Sequence, residues 1–390
     1  MSIDFIFAII FYSLLVILFL VFRKKFTVQG KIFVMYKTKL GLRLMDKMGR
    51  AMPRFWKFLG VISVISGFAG MAAIMYMLVK GLITLIAQPA AAPTLGLVLP
   101  GVKIPGAPIF VPFWYGIISI FVVAVIHEFF HGVYSRVHNV NVKSSGVAFL
   151  GPILAAFVEP EEEELKKRSK LAQLSVFSAG PFSNLLTAGI LVLIIIFIAV
   201  PFTNTLVDVK GVQIASVEKD FPFYNAGAKS GEIIEQINNA AVTDVNAFTN
   251  AMKGIKPGET ISIKTNRTIY NIVAVAHPSI EGKGYVGVLV SAGEVVIKDS
   301  VKSRYGSFLP NSMLWIGRLL VWIFVLSLGI GLVNLLPLGP IDGGRMFYLA
   351  ALHYIKAEKK TMKLFGYVSV LCLVLVVLNL TIPYLRKLFG

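Results

Sequence analysis

The sequence has few charged residues and almost no cysteine. Only 15% of its 390 residues are charged, whereas 56% are hydrophobic, and Cys372 is the single cysteine. One cysteine excludes an intrachain disulfide and a cysteine metal cluster, so any metal site must use histidines and carboxylates. In soluble proteins about a quarter of the residues are charged. The shortage of charge therefore predicts a chain that lies largely in a membrane.

Six apolar stretches are long enough to cross a hydrocarbon core of about 30 Å. They cover residues 3–22, 58–87, 113–134, 171–200, 313–338 and 364–385. The first stretch has neither the basic start nor the small-residue cleavage site of a signal peptide, which favours a retained helix. The sequence thus predicts a polytopic α-helical membrane protein with about six transmembrane helices.

The basic residues lie mainly in loops that are predicted to face the cytoplasm. Eleven Lys and Arg residues follow the first stretch, between residues 23 and 57, while none precedes it. Because short basic loops stay inside, we predict that the N-terminus and residues 202–312 are extracytoplasmic in a multi-pass protein of the cell membrane. The net charge of +18 indicates that the basic loop binds anionic lipid, and the sequence contains no nucleic-acid-binding motif.

A His-Glu-x-x-His motif, His127 to His131, follows a run from 113 to 126 that contains no charge. Residues four apart share one face of a helix, so the two histidines can bind one metal ion. Glu128 lies about 100° further round the helix, where its carboxylate can take a proton from a water molecule. Ionisable residues inside a membrane span indicate a functional site, although the motif alone also arises by chance.

Asp342 is the best candidate for a third metal ligand, which a catalytic zinc ion usually requires. It follows an apolar span in a segment that Pro337 and Pro340 interrupt, and it falls at the same predicted depth as the two histidines, toward the cytoplasmic side. Gly343 and Gly344 are expected to let the chain turn and approach the metal closely. The alternative is a Pro-Gly turn in which Asp342 is a solvated helix cap.

Together, His127 to His131 and the distant Asn334-x-x-Pro337-x-x-x-x-Asp342-Gly343 resemble the site-2 protease family of intramembrane zinc metalloproteases. The resemblance implies that His127, His131 and Asp342 bind one zinc ion and that Glu128 is the catalytic acid/base. Two distant motifs in this order are far less expected by chance than either alone.

Two asparagines are further candidates. The segment Ser178 to Asn184 resembles the glycine-containing segment of the same family, by which analogy Asn184 donates a hydrogen bond to the substrate carbonyl or oxyanion. The alternative is that this segment forms a small polar face for helix packing. Asn334 either binds the substrate backbone or satisfies carbonyl groups that Pro337 frees.

Residues 142–158 are apolar but are broken by Gly146, Gly151 and Pro152, which makes them too short and irregular for a crossing helix. Such backbone is tolerated at membrane depth only where it is buried in protein or lines a wet cavity. We predict a re-entrant element, and the resemblance implies a membrane-inserted β-hairpin. The acidic run from Glu161 to Glu164 is predicted to begin an ordinary amphipathic helix rather than to bind metal.

Between about 206 and 291 the composition becomes that of a soluble domain with short β-like runs. The segment from Gly211 to Asn238, with Gly231-Glu-Ile-Ile, resembles a PDZ domain of the protease-associated type, an inserted α+β fold. With this segment the chain resembles the PDZ-containing prokaryotic type of the site-2 protease family. PDZ domains accept a peptide tail as an added strand, and we place that groove at the edge 212–217. The alternative is a spacer that keeps bulky substrates from the membrane site.

The predicted organisation has four parts. Residues 1–112 form a two-span region with the basic loop, 113–204 and 296–390 form the two halves of the metalloprotease core, and 205–295 form the PDZ-like domain. His138, His277 and His353 are predicted to be surface or interfacial residues because their neighbours offer no metal spacing.

The leading functional hypothesis is a zinc metalloendopeptidase that cleaves transmembrane segments of membrane-anchored proteins, in regulated intramembrane proteolysis. A metal transporter is one alternative, although the chain shows no second copy of the metal motif. A non-catalytic scaffold that works through the PDZ-like domain is another, and the intact Glu128 disfavours it.

Overall fold

The computed structural model describes residues 3–22, 26–29, 33–88, 93–104, 107–150, 153–278 and 280–389. The chain divides into two compact units, a helical unit made of Met1–Ile195 with Arg318–Gly390 and an inserted unit made of Ile196–Gly317. The predicted four-part organisation stays a prediction.

Helices make up most of the helical unit and a smaller part of the inserted unit. In chain order they are α1 (Ile3–Phe22), α2 (Leu42–Ala51), α3 (Pro53–Ala87), α4 (Phe113–Val137), α5 (Glu162–Lys166), α6 (Lys170–Ile194), α7 (Val200–Leu206), α8 (Pro222–Asn225), α9 (Val245–Lys253), α10 (Asp299–Tyr305), α11 (Phe308–Asn334), α12 (Asp342–Ile355) and α13 (Glu358–Phe389). A π-helical segment, Ile195–Ala199, joins α6 to α7.

By length and composition, six helices of the described chain could cross a membrane. They are Ile3–Phe22, Pro53–Ala87, Phe113–Val137, Lys170–Leu206, Phe308–Asn334 and Glu358–Arg386. The sequence predicted six such helices, and the chain is a multi-pass protein by this measure. The fifth helix ends at Asn334 rather than at residue 338, because Pro337 cannot donate a backbone hydrogen bond. Orientation and crossing stay predictions.

Small residues let α3 pack closely against α6 and α12. Gly60 lies against Ser175 of α6, and the Ser63 hydroxyl forms a hydrogen bond of 2.8 Å with the Ser178 hydroxyl. Gly67 lies against a methionine side chain of α12. Small-residue contacts of this kind are typical of helix packing in lipid, where close approach replaces the hydrophobic driving force.

A four-stranded antiparallel sheet also belongs to the helical unit. Its strands are β1 (Thr27–Gln29), β2 (Phe33–Thr38), β3 (Val142–Leu150) and β4 (Ile153–Pro160), in that order. The strands β3 and β4 fall where the sequence predicted a re-entrant β element, whereas β1 and β2 come from the basic loop and were not predicted. Two residues of that element, Gly151 and Pro152, lie outside the described residues. The strand β4 ends the sheet and packs against α4.

The inserted unit contains a second sheet. Its strands are β5 (Val207–Val217), β6 (Ile233–Ile237), β7 (Ala240–Ala241), β8 (Thr260–Thr265), β9 (Ile269–Val273), β10 (Val275–Ala276), β11 (Gly284–Tyr285) and β12 (Val288–Ile297). Five of them follow the order β12-β5-β6-β8-β9, with β7 beside β6, and β10 pairs with β11 apart from them. The core residues, Ile214, Phe223, Ile234, Ile261 and Ile263 among them, are buried between the sheet and α9.

The predicted peptide groove at 212–217 is wrong. The strand β12 pairs with β5 from Val217 to Val207, and β6 pairs with the other side of β5 at Val212 and Gln213. The predicted domain ended at residue 295, whereas β12 extends to Ile297 and covers this side of β5. In the described residues the sheet ends at β12 on one side and at β9 on the other.

Candidate metal centre

Three side chains from two helices converge in the helical unit. His127 and His131 of α4 place their Nε2 atoms 3.2 Å apart. Asp342 Oδ2 lies 3.0 Å from Nε2 of His127 and 3.3 Å from Nε2 of His131. Among the residues that the structure describes, these three form the one group of histidine, cysteine and carboxylate side chains with metal-site spacing. The structure thus brings together the three residues that the sequence singled out as ligands.

The donor set fits a zinc ion. Ligand atoms about 2.0–2.1 Å from a tetrahedral zinc ion lie about 3.3 Å from one another, which matches the separations of 3.0, 3.2 and 3.3 Å. Two histidine nitrogens and a carboxylate are also the ligand types of many catalytic zinc sites. Both histidines are less than a tenth exposed, so water has little access to their two Nε2 atoms. Because the lone pairs of these atoms and of the Asp342 carboxylate point at one another, a proton or a cation must lie between them.

The turn between α11 and α12 delivers Asp342. The helix α11 ends at Asn334, and Asp342 is the first residue of α12. At that position the partial positive charge of the helix N-terminus favours a carboxylate. Gly343 lies against the backbone carbonyls of Leu335 and Leu336, where a Cβ atom has no room. Gly343 therefore lets the chain turn, as expected, and its close approach is to the backbone of the turn itself.

The helix α6 contacts the Nδ1 atoms of both histidines. The Val176 carbonyl lies 2.7 Å from Nδ1 of His131, and the Asn184 amide lies 3.1 Å from Nδ1 of His127. Gly180 lies halfway between these two residues, and a Cβ atom there would collide with the Nε2 atoms of both histidines. The sequence did not predict the roles of Val176 and Gly180, although the spacing of four residues from 176 to 184 is a signal of one helix face.

Glu128 lies next to the ligands and forms a hydrogen bond with the sheet of the helical unit. Its Oε2 atom accepts a hydrogen bond of 2.9 Å from the backbone N–H of Val158 on β4. The bond uses one carboxylate oxygen and connects the predicted acid/base to the edge strand of the sheet. No pattern in the sequence indicated this contact, because the donor is a backbone group.

The remaining candidates lie outside the ligand group. Asn334 is the half-buried last residue of α11, and no residue in the described part of the chain forms a hydrogen bond with its side chain. In the acidic run, Glu163 pairs with Lys166 at 2.8 Å and Glu161 pairs with Lys143 at 2.8 Å. The run begins the helix α5, as expected, although Glu161 pairs with a lysine of β3 and not within the helix.

His138 packs at the junction of α4 and α6. It follows the last residue of α4, is half-buried, and its Nε2 atom lies 2.9 Å from the Ser175 hydroxyl. Burial, together with the nearby charges of Lys57 and Arg168, lowers the pKa of His138 to about 4. The side chain is therefore neutral near pH 7 and serves as a packed contact between α4 and α6.

Comparison with known proteins places these features in a family. The model of peptidase family M50 matches residues 115–377, which include all of the ligands and Glu128. An uncharacterized protein of Methanocaldococcus jannaschii is 30% identical over 327 residues, which are 80% of this chain and 76% of that protein.

Two bacterial relatives are named "putative zinc metalloprotease". The protein of Lactococcus lactis is 24% identical and covers 48% of this chain and 52% of its own length. The protein of Clostridium acetobutylicum is 23% identical and covers 59% of this chain and 84% of its own length.

One solved structure is similar to a smaller part of the chain. It is the PDZ domain of the SdrC-like protein from Listeria monocytogenes, with 23% identity and a TM-score of 0.19 over 21% of this chain and 87% of that one. A TM-score this low carries no argument about fold, so the PDZ interpretation continues to rest on the sequence pattern.

Proposed function

Because the chain belongs to peptidase family M50, we propose that it is an intramembrane zinc endopeptidase that cleaves transmembrane segments of membrane-anchored proteins. The convergence of His127, His131 and Asp342 from two helices within the family match carries this proposal. The family match and the names of the bacterial relatives favour a zinc metalloprotease over the transporter and scaffold alternatives.

The residues around the centre have separate tasks in hydrolysis. A zinc ion bound by the three ligands would polarise the scissile carbonyl and make a water molecule more acidic. Glu128 takes the proton from the attacking water and returns it to the leaving amine as the peptide bond breaks. The Val158 N–H holds one oxygen of this carboxylate and leaves the other for proton transfer.

The strand β4 offers an edge for an unwound substrate. Val158 points its N–H away from β3 toward Glu128, so Ala156 and Leu154, two and four residues earlier, point their backbone groups the same way. A helical substrate hides its carbonyls in hydrogen bonds and must unwind before hydrolysis. We propose that the unwound segment adds to β4 as a strand, which carries its backbone toward Glu128.

The distribution of charge supports the proposed sidedness. The N-terminus and the inserted unit are assigned to the extracytoplasmic side, and the metal centre is assigned toward the cytoplasmic side. The amphipathic helix α2, in the basic loop, is assigned to anionic lipid, with Arg43, Lys47 and Arg50 as its cations. A peptide tail that binds the inserted unit would add to the edge strand β12, against which α9 packs.

The test of catalysis compares wild type with Glu128→Gln in purified, lipid-reconstituted protein. Zinc content and cleavage of a model membrane-anchored substrate are measured together. We expect one zinc ion per chain in both proteins and a cleavage rate about 10²- to 10⁴-fold lower in the variant. Glu163→Gln, at an exposed carboxylate of α5, is the matched control and should cleave at the wild-type rate. Wild type without zinc, or full cleavage by Glu128→Gln, contradicts the proposal.

The test of strand addition uses Ala156→Pro. Proline removes the outward N–H of Ala156 but leaves the ladder to β3 intact, because that N–H does not bond to β3. We expect a lower kcat/KM with unchanged zinc content, whereas Ala156→Val, which keeps the N–H, should retain wild-type kcat/KM. Equal kcat/KM for all three proteins would remove β4 as the docking strand.

A further inference from the structure

We infer that Asn184 is a positioning residue for the metal centre, whose side-chain carbonyl accepts the Nδ1 proton of His127 and fixes the tautomer that presents Nε2 to the metal. The inference rests on the zinc centre proposed above. It differs from the role that the family resemblance implies for Asn184, which was to donate a hydrogen bond to the substrate.

The geometry determines which nitrogen of His127 carries the proton. Nε2 lies 3.2 Å from Nε2 of His131 and 3.0 Å from Oδ2 of Asp342, so Nε2 is the atom that faces the metal. A coordinating nitrogen offers its lone pair, and a neutral imidazole has one proton, which must then lie on Nδ1. Nδ1 of His127 is therefore a donor and needs an acceptor.

Asn184 is the neighbour that can accept this proton. Its side chain is fully buried, and its amide lies 3.1 Å from Nδ1 of His127. The Nδ2 end of the amide faces Nδ1, but the two ends of an amide have the same shape, and the hydrogen bonds around it decide which end is the oxygen. Oδ1 has no hydrogen-bond partner among the described residues. If the amide is rotated so that Oδ1 faces Nδ1 of His127, no hydrogen bond of Oδ1 is lost, and Oδ1 accepts the Nδ1 proton.

The second histidine has the same kind of support. Nδ1 of His131 lies 2.7 Å from the Val176 carbonyl, which can only accept, so His131 must also carry its proton on Nδ1. Val176 and Asn184 are two turns apart on one face of α6, with Gly180 between them. One helix thus supplies both acceptors and the space for both imidazoles.

The backbone of Asn184 is itself held in place. The Ser327 hydroxyl of α11 donates a hydrogen bond of 2.9 Å to the Asn184 carbonyl, and both residues are fully buried. Gly331, one turn further along α11, lies against the Asn184 Cβ atom. Partners of this type that fix the outer nitrogen of a ligating histidine typically contribute 10- to 100-fold to metal affinity.

The test measures zinc affinity of the full-length protein by competition with a chelator. Asn184→Leu keeps the branched shape of the side chain but removes the acceptor, and we expect its zinc affinity to fall about 10- to 100-fold. Asn184→Asp keeps an acceptor and should bind zinc at least as tightly as wild type. Ser183→Ala is the matched control, because the Ser183 hydroxyl is equally buried but bonds only to Gly180 of its own helix.

The thermal unfolding midpoint of the zinc-free protein is also measured for each variant. If Asn184 had a purely structural role, its variants would lower this midpoint in proportion to their loss of zinc affinity. If Asn184→Leu does not fold, Asn184→Ala replaces it. Zinc affinity of the acceptor-free variant within threefold of wild type, or an equal loss in Asn184→Asp, overturns the inference while leaving the proposed function intact. A wild-type protein that binds no zinc overturns both.

Discussion

At the scale of single residues, Gly180 is the position where the centre has least room. Both imidazoles lie where its Cβ atom would be, so any larger residue must push at least one Nε2 atom away from Asp342. Gly180→Ala is expected to weaken zinc binding about 5- to 150-fold, since overpacking of this kind costs about 1–3 kcal/mol. Zinc affinity by chelator competition measures the effect.

Gly189→Ala on the same helix is the matched control for this substitution. A Cβ atom at Gly189 has no atom within 4 Å, so the gain in helix propensity is the same but no contact changes. Zinc affinity should remain at the wild-type value. Equal affinities for both variants would mean that Gly180 does not limit the space of the centre.

The sequence was sufficient to predict the metal ligands but not the residues that form hydrogen bonds with the ligands and with Glu128. His127 and His131 are predictable because helical spacing of four places them on one face, and Asp342 because a broken helix follows an apolar span. The contacts of Asn184 with His127 and of Val158 with Glu128 join residues 57 and 30 positions apart. Such pairs depend on how helices and strands pack, which no local pattern encodes.

At the scale of elements, the sheet of the helical unit contains strands that the sequence pattern predicts and strands that it does not. Residues 142–158 are predictable as a re-entrant element because the apolar residues there are broken by glycine and proline, and the family resemblance implied that this element is a β-hairpin. The strand β2 lies in the basic loop and contains Lys37, so its own sequence does not indicate a strand. It becomes a strand because it pairs with β3. Lys37 also bonds to Glu159 of β4 at 2.7 Å, which ties the strand into the sheet.

The junction of α4 and α6 predicts a pH dependence of stability. The pKa of His138 falls to about 4 in the folded protein, against about 6.5 in an unfolded chain. Between these values the unfolded chain binds more protons, so folding is favoured above about pH 6.5 and is weakened as the pH falls toward 4. The thermal unfolding midpoint of the purified protein should decrease over this interval.

His138→Gln separates this contribution from the other titrating groups. Glutamine can keep the hydrogen bond to the Ser175 hydroxyl but does not bind a proton. The unfolding midpoint of the variant should therefore decrease less between pH 6.5 and pH 4 than that of wild type. A variant with the same slope as wild type would show that His138 does not control the acid sensitivity.

At the scale of the whole molecule, the proposed sidedness of the chain rests on the distribution of its basic residues and can be tested with single cysteines. Cys372 is fully buried in α13, so the unmodified chain should resist a membrane-impermeant maleimide. Asn250→Cys lies on the exposed face of α9, and Lys359→Cys lies at the exposed start of α13. Both variants are made in a Cys372→Ala background.

We expect the cysteine at 250 to react in intact cells and the cysteine at 359 to react only after lysis. The reason is that the short loop between residues 23 and 57, which contains eleven Lys and Arg residues, is predicted to stay inside. This would leave residues 202–312 outside after four crossings and return 345–363 to the cytoplasm after five. Labelling of position 359 in intact cells, or protection of position 250, would reverse the assignment. The inserted unit would then meet cytoplasmic partners, and the positive charge of the loops would no longer account for the orientation of the six helices.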